Sequence, residues 1–500
     1  MKKNGFNTMF LITLATFGGK LLGIIRDMLI SYHYGTTQLT DAFFLALSIP
    51  TMILGIFTAS TDSAVIPQYI RIKTKMTQKD ADRNFSSIIN TLLIIAVVVC
   101  VIIFIFPHFF VEIFAGGFKK SSILIAAKFL RIFAPIGVLH MLYCFFCTYN
   151  AAYGKNTART ILAFFPNLLL VFSLCFFYDE DLIYLSITYV LANVFCVLLP
   201  MLEMRKIRYI HYWKIDYKST EYKHFWTLFI PIMGGAVLAD VQQYVDKYLG
   251  SSIIGGISYL NYGNKLINIF DSILVVGMGV VLLPMLSRTE NKKDNREFSI
   301  IASKVTRYLL EILIPCLTFV FGLAIELITV LFGRGKFDDN SIYIVSMVLR
   351  AYSPLIIFMP LTAIFSKFFQ AKEMNKIPFK VNCVSVMINL FLSIVLKKYC
   401  GVVGIALATT IAMIVEVVMY VYLIDKKIGW NIYELNLRVL IKLIIPSILS
   451  IITGRFVQLI IKFSVAKIVV EGIVIVAFFV GWYYIFLKED FLFWIKKLKV

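Results

Sequence analysis

The sequence predicts an all-α polytopic membrane protein of fourteen transmembrane helices: two six-helix lobes related by a pseudo-two-fold axis along the membrane normal, plus helices 13 and 14. Three observations carry this. The 500 residues are 60% hydrophobic and only 16% charged, with a mean hydropathy of +0.84, which leaves too little polar surface to coat a soluble globule. The apolar residues fall in runs of about 18 or more, enough to cross roughly 30 Å of hydrocarbon as helix. The two halves of the chain also repeat each other. No ten-residue alternating pattern occurs, which excludes a membrane β-barrel.

Apolar segments lie near 6–32, 41–70, 85–112, 122–150, 157–178, 182–204, 225–249, 256–287, 299–333, 341–370, 377–397, 401–424, 436–459 and 465–487. The loops after even-numbered spans are basic: Arg71 to Arg83, Lys155 and Arg159, Arg205 to Lys223, Arg288 to Arg296, Lys372 and Lys376, Lys426 and Lys427, and Lys496 to Lys499. The alternate loops are poorer in Lys and Arg, apart from Lys119-Lys120 and Lys397-Lys398. The positive-inside rule therefore puts both termini in the cytoplasm, as an even number of spans requires. This distribution accounts for the net charge of +20 without a nucleic-acid partner.

Lys20, Arg26 and Asp27 stand where a signal peptide would need a small-residue cleavage site, so the first segment is read as a retained helix. The eight cysteines sit mostly in apolar runs. Cys144-Phe-Phe-Cys147 has no accompanying His or second pair, so these are read as small core residues rather than metal ligands.

The repeat is ordered. Gly35 matches Gly250, Pro67 matches Pro284, and Leu130-Arg131 with Pro135 matches Leu349-Arg350 with Pro354, at an offset growing from 215 to 219; Asn167 sits opposite Asn389. Six duplicated helices place both lobes in the same sense, with a substrate site expected between them near the midplane. The domains are read as 1–205 (helices 1–6), 206–224 (a cytoplasmic amphipathic linker), 225–427 (helices 7–12) and 428–500 (helices 13 and 14 with a basic tail).

An ionisable group near the bilayer centre costs about 2.5–3.5 kcal/mol even on insertion scales, so each one needs water, a partner or a role. The first helix carries Lys20, Arg26 and Asp27. The second places Asp41, Ser48, Gly55 and Asp62 at seven-residue spacing, and the eighth places Asn261, Lys265 and Asn268 on one face beside Asn264 and Asp271. These stripes predict a wet, cationic cavity, and a pyrophosphate is the ligand that Lys and Arg would hold best through charge-assisted hydrogen bonds. No GxxxxGK[ST] occurs, and Gly333 to Phe337 lacks its spacing. The chain is therefore read as a secondary transporter rather than an enzyme, with no catalytic residues and no cofactor, driven by sodium, protons or the membrane potential.

Gly19-Lys20-Leu21-Leu22-Gly23-Ile24-Ile25-Arg26-Asp27, Tyr34-Gly35, Thr40-Asp41-Ala42-Phe43-Phe44 and Ile49-Pro50 resemble the N-terminal signature of the MurJ/MviN lipid II flippases of the MOP superfamily. Ile257 to Leu266, Leu331-Phe332-Gly333 with Gly335-Lys336-Phe337-Asp338, and Gly404 to Thr410 resemble that family's second lobe. The resemblance covers essentially the whole chain. It implies a monomer in the bacterial inner membrane that flips polyprenyl-pyrophosphate-linked peptidoglycan precursor by alternating access, with the lipid tail in a groove associated with helices 13 and 14. Carried over by motif, the substrate-binding set is Lys20, Arg26, Asp27, Asp41 and Lys265, with Asn261 and Asn264 beside it. A sodium site in some members corresponds to Asp246, Asn389, Ser393, Ile405 and Thr409, with Ser393 in place of a carboxylate. After Pro50 the family has a basic pair and then a glutamate, whereas this chain reads Thr51-Met52-Ile53-Leu54-Gly55 and Ala59. That departure leaves another undecaprenyl-linked saccharide (capsule, exopolysaccharide or O-antigen unit) as the alternative cargo. A membrane-embedded glycan polymerase or ligase is disfavoured by the short external loops.

Overall fold

The computed structural model describes residues 2–268 except 156 and 163, residues 295–428 except 373 and 375, and residues 437–461 and 464–486. Helix is the regular secondary structure throughout these residues. Eight candidate spans among them are long and apolar enough to cross a membrane, from Gln38–Thr58 to Ser464–Ile485, with shorter apolar helices at Phe165–Phe176 and Ile444–Gly454. Large apolar side chains stand exposed along these spans, including Ile94, Val101, Phe104, Phe172, Phe195, Phe391 and Ile473. Such a surface is stable only against lipid, so the chain is a multi-pass membrane protein. The expected eighth span runs into 269–294, and Asp271 and the basic tail at 487–500 likewise lie outside the described residues.

The chain forms two compact units, Met1–Ser258 and Tyr259–Val500. The first contains α1 (Lys2–Tyr34), α2 (Gln38–Lys75), α3 (Gln78–Ile105), α4 (Pro107–Phe114), α5 (Lys120–Phe133), α6 (Ile136–Ala152), α7 (Thr157–Leu162), α8 (Phe165–Phe176), α9 (Ile183–Lys206) and α10 (Thr220–Gly250). Its central helix is α2, against which α3, α5, α6 and α10 pack. Leu54, Phe85, Leu92, Met141, Phe145, Tyr149, Phe225 and Phe229 form the core. α10 packs along α2 and α3 and falls within the first compact unit. Between α9 and α10, residues 207–219 of the linker form an extended strap with turns.

The second unit holds most of α11 (residues 256–268), then α12 (Asn295–Gly322), α13 (Ala324–Phe332), α14 (Asp339–Tyr352), α15 (Leu355–Ala371), α16 (Lys376–Ile428), α17 (Leu437–Ile460) and α18 (Ser464–Phe486). The internal repeat appears in element lengths. α5 and α14 each have 14 residues, and α6 and α15 each have 17. In both units the break between the last two falls at the matched prolines, Pro135 and Pro354, where the ring removes a donor and interrupts the helical ladder.

α16 turns back on itself at Gly401, whose φ of 55° and ψ of −132° suit glycine. The two arms approach so closely that a Cβ at Gly404 would lie 2.2 Å from the Leu396 carbonyl oxygen. The expected eleventh and twelfth spans are these two arms.

Candidate functional site

On α1 the predicted charges divide into two settings. Lys20 is half-buried. Arg26 donates from Nε (2.9 Å) and Nη2 (2.7 Å) to Oδ1 of the fully buried Asp27, and from Nη1 to Asn167 Oδ1 at 3.0 Å. Asn167 in turn donates from Nδ2 to the Gly19 carbonyl at 2.9 Å. Asn167 lies alongside Gly23, where a Cβ would meet its amide at 3.6 Å, an ordinary van der Waals contact. A buried guanidinium needs both a counter-charge and satisfied donors, and Asp27 and Asn167 supply them. Sequence reasoning found Arg26 and Asp27 but treated Asn167 only as a marker of the repeat; its role depends on packing between α1 and α8.

Asp41 stands in the first turn of α2 because Thr37 and Thr40 form a capping box before it. Its carboxylate is buried. Oδ1 accepts from the Ser258 backbone N–H at 2.8 Å and the Ser258 hydroxyl at 2.7 Å, while Ser258 Oγ lies 3.1 Å from Thr40 Oγ1. This is the bonding of a helix cap, since Ser258 lies in the first turn of α11, where backbone N–H groups are otherwise unpartnered. Asp41 is thus engaged with protein rather than open. Farther along α2, Leu54 is fully buried, with Cδ1 against Gly137. The Asp62 side chain lies outside the described residues.

In the second unit α11 has two faces. Tyr259, Leu260, Tyr262 and Ile267 are buried, and the Tyr262 ring packs against Phe332 at 5.0 Å and Phe337 at 5.8 Å between centroids. Gly263 is needed for contact with α14, because a Cβ there would fall 2.6 Å from Val348. Asn261, Asn264, Lys265 and Asn268 are all half-buried, the accessible polar stripe that the spacing predicted.

Of the residues matched to a sodium site, Asp246 lies in the first unit on α10 and the other four lie on α16. Asn389 Nδ2 donates to Thr409 Oγ1 at 3.0 Å, and the Thr409 hydroxyl donates to the Ile405 carbonyl at 3.3 Å. Ser393 is one turn beyond Asn389, and both are fully buried. Asn389 Oδ1 and Ser393 Oγ have no hydrogen-bond partner. Buried polar atoms are normally satisfied, so these two oxygens, one turn apart on α16, stand out among the described residues. The set is neutral, Ser393 standing where the resemblance expects a carboxylate.

The second unit also encloses an apolar cavity of about 680 Å³, walled by α12, α15, α16 and α17 through residues such as Leu310, Ile314, Phe358, Phe365, Val421 and Ile444. It is of the size and character of a site for hydrocarbon chain.

A duplicated helical bundle with polar, cation-bearing helix faces and a lipid-sized apolar cavity defines a polytopic membrane transporter. Residues 30–478 match the family described as lipid II flippase MurJ, and the chain belongs to that family. The "probable lipid II flippase MurJ" of Buchnera aphidicola subsp. Baizongia pistaciae is 25% identical over 424 residues, covering 82% of this chain and 81% of that protein. Its counterpart in Thermotoga maritima is 22% identical over 448 residues, covering 89% and 90%. The solved structure of lipid II flippase MurJ in an inward closed conformation superposes with a TM-score of 0.83 at 21% identity, over 95% of this chain and 99% of that one. An inward-facing multidrug MATE transporter of the MOP superfamily gives 0.67 at 11% identity, covering 83% and 98%.

Proposed function

We propose that this chain flips lipid II, the polyprenyl-pyrophosphate-linked peptidoglycan precursor, across the bacterial inner membrane as a monomer with both termini in the cytoplasm. The observation that carries the proposal is family membership over residues 30–478, joined to the cation-bearing polar faces of α1 and α11. Lys20, Arg26 and Lys265 supply positive charge to the pyrophosphate, and Asn261 and Asn264 offer amide donors to the saccharide. Asp27 keeps Arg26 charged and oriented, and Asp41 holds the start of α11. The tail's natural resting place is the apolar cavity beside α17, the expected helix 13. Movement without nucleotide hydrolysis follows the alternating-access logic of secondary transporters.

A second reading, transport of another undecaprenyl-linked saccharide, is favoured by one observation. The stretch after Pro50 lacks the family's basic pair, and Leu54 is packed into the core against Gly137, leaving no room there for a headgroup-contacting arginine. Sodium coupling is proposed through Asn389, Ser393, Ile405 and Thr409, with Asp246 as the only carboxylate of the set; proton or potential coupling is the alternative.

Complementation separates the cargoes. In a strain depleted of its lipid II flippase, expression of this chain should restore growth and cell shape, and Lys265→Ala should abolish the rescue at equal protein level. Membrane-localised protein that gives no rescue would transfer the assignment to the other saccharides.

A further inference from the structure

The strap at 207–219 is fixed to the N-terminal half of α3 by three side chains. Asn90 Nδ2 donates to the Tyr212 carbonyl at 2.8 Å. Ser86 Oγ accepts from the Tyr212 N–H at 3.1 Å and pairs with the Tyr209 hydroxyl at 2.7 Å. Ser87 Oγ accepts from the Asp216 N–H at 3.1 Å. With its backbone held, the outward side chains are held too: Ile210, Tyr217 at 64% and Trp213 at 85% exposure. Arg205, Lys206, Arg208, Lys214 and Lys218 are exposed among them. Asp216 is the one acid in 205–218, and Arg83 pairs with it at 3.4 Å.

The depth of the strap follows from α3. Ser87 and Asn90 share a helical face with Ile94, Val97 and Val101, three or four residues apart along the stripe. These three are about half exposed, on the candidate span of highest hydropathy, 3.3. The strap thus covers the polar end of a stripe that meets hydrocarbon one turn further on, about 6 Å along the axis. That is headgroup depth, where Trp and Tyr settle and clustered Lys and Arg attract anionic lipid. The arrangement is the non-helical counterpart of an interfacial anchor.

We propose that residues 205–218 are a binding site for anionic phospholipid, with Trp213 and Tyr217 seated among the headgroups and Lys206, Lys214 and Lys218 engaging lipid phosphate. The site is independent of the transported cargo, and its failure would leave the flippase reading intact.

The test uses the full chain reconstituted in phosphatidylcholine vesicles with or without phosphatidylglycerol. The Trp213 fluorescence, taken as the difference between the parent and Trp213→Phe, should be quenched by a headgroup-labelled nitroxide lipid and shielded from aqueous iodide. The preference of the protein for spin-labelled phosphatidylglycerol over phosphatidylcholine should fall about fivefold for each lysine lost from contact in Lys206→Gln, Lys214→Gln and Lys218→Gln combined. Quenching of Trp213 by iodide but not by lipid nitroxide would overturn the proposal and turn the strap toward water, where a protein partner would be its occupant. An unchanged lipid preference in the triple variant would overturn it equally. The substituted lysines are exposed, and retention of parental helix content by circular dichroism shows that any loss is of binding.

Discussion

Arg26 Nη1 donates to Asn167 Oδ1 at 3.0 Å across 141 residues of sequence, joining α1 to α8 in the same amide that holds the Gly19 carbonyl. The orientation of the guanidinium is therefore a property of two helices, and of one asparagine between them.

Asn167→Leu removes both bonds while keeping similar volume. Loss of a hydrogen bond to a charged group costs about 1.5–3 kcal/mol, so Arg26 should lose its fixed pose and transport should drop by about tenfold or more. Flipping measured in proteoliposomes checks this, with Asn167→Gln expected to retain more activity. Parental rates in Asn167→Leu would remove Asn167 from the account.

Asp41→Ala should cost about 1–2 kcal/mol, the range for losing a helix cap, because Ser258 N–H and Oγ lose one acceptor together. Ser258→Ala should cost less, since the backbone N–H still donates. Thermal unfolding in detergent measures both, and equal shifts for the two variants would contradict the capping role.

The neutral oxygens of Asn389, Ser393 and Thr409 predict weak sodium binding. Ser393→Asp adds a carboxylate one turn from Asn389 and should raise sodium-dependent thermal stabilisation above that of the parent. If sodium coupling operates, Asp246→Ala should remove the sodium dependence of flipping. Indifference of both proteins and the parent to sodium, against a choline control, would leave proton or potential coupling.

The strap carries a pH dependence. His211 Nδ1 and the Tyr209 hydroxyl are hydrogen-bonded at 2.9 Å, and burial lowers the His211 pKa below the ordinary 6.5. A folded pKa below the unfolded one means that the contribution to docking is fully present above pH 6.5 and is lost as pH falls through the folded value. The groups around the ring are Tyr209 and Trp213, with Ser86 and Asp82 behind Tyr209. Hydrogen exchange of residues 207–219 should quicken on acidification in the parent, and the acid response should vanish in His211→Asn. An equal response in both would assign it elsewhere.

Much of this was legible in the chain. Hydropathy runs predicted helices, and the matched prolines marked the repeat; that Pro135 and Pro354 also break their helices is what the structure adds. The polar face of α11 followed from the spacing of Asn261, Lys265 and Asn268. What spacing could not give were partners from distant segments. Asn167 and Ser258 became part of the site only when α8 met α1 and when 258 met α2. The conformation of the strap was not legible either, because its mix of aromatic and basic residues suits a helix and an extended tether equally well; Ser86, Ser87 and Asn90, which hold it extended, belong to another helix.

The central claim is that the half-buried lysines of α1 and α11 hold a lipid pyrophosphate. Native mass spectrometry of the purified chain with lipid II, and with undecaprenyl phosphate as the monophosphate comparison, measures this directly. The account predicts that lipid II binds more tightly than the monophosphate, and that Lys20→Ala and Lys265→Ala each weaken lipid II by about tenfold, roughly the 1.5 kcal/mol of a charge-assisted contact. Equal affinity for the two lipids, undiminished in both variants, would contradict it.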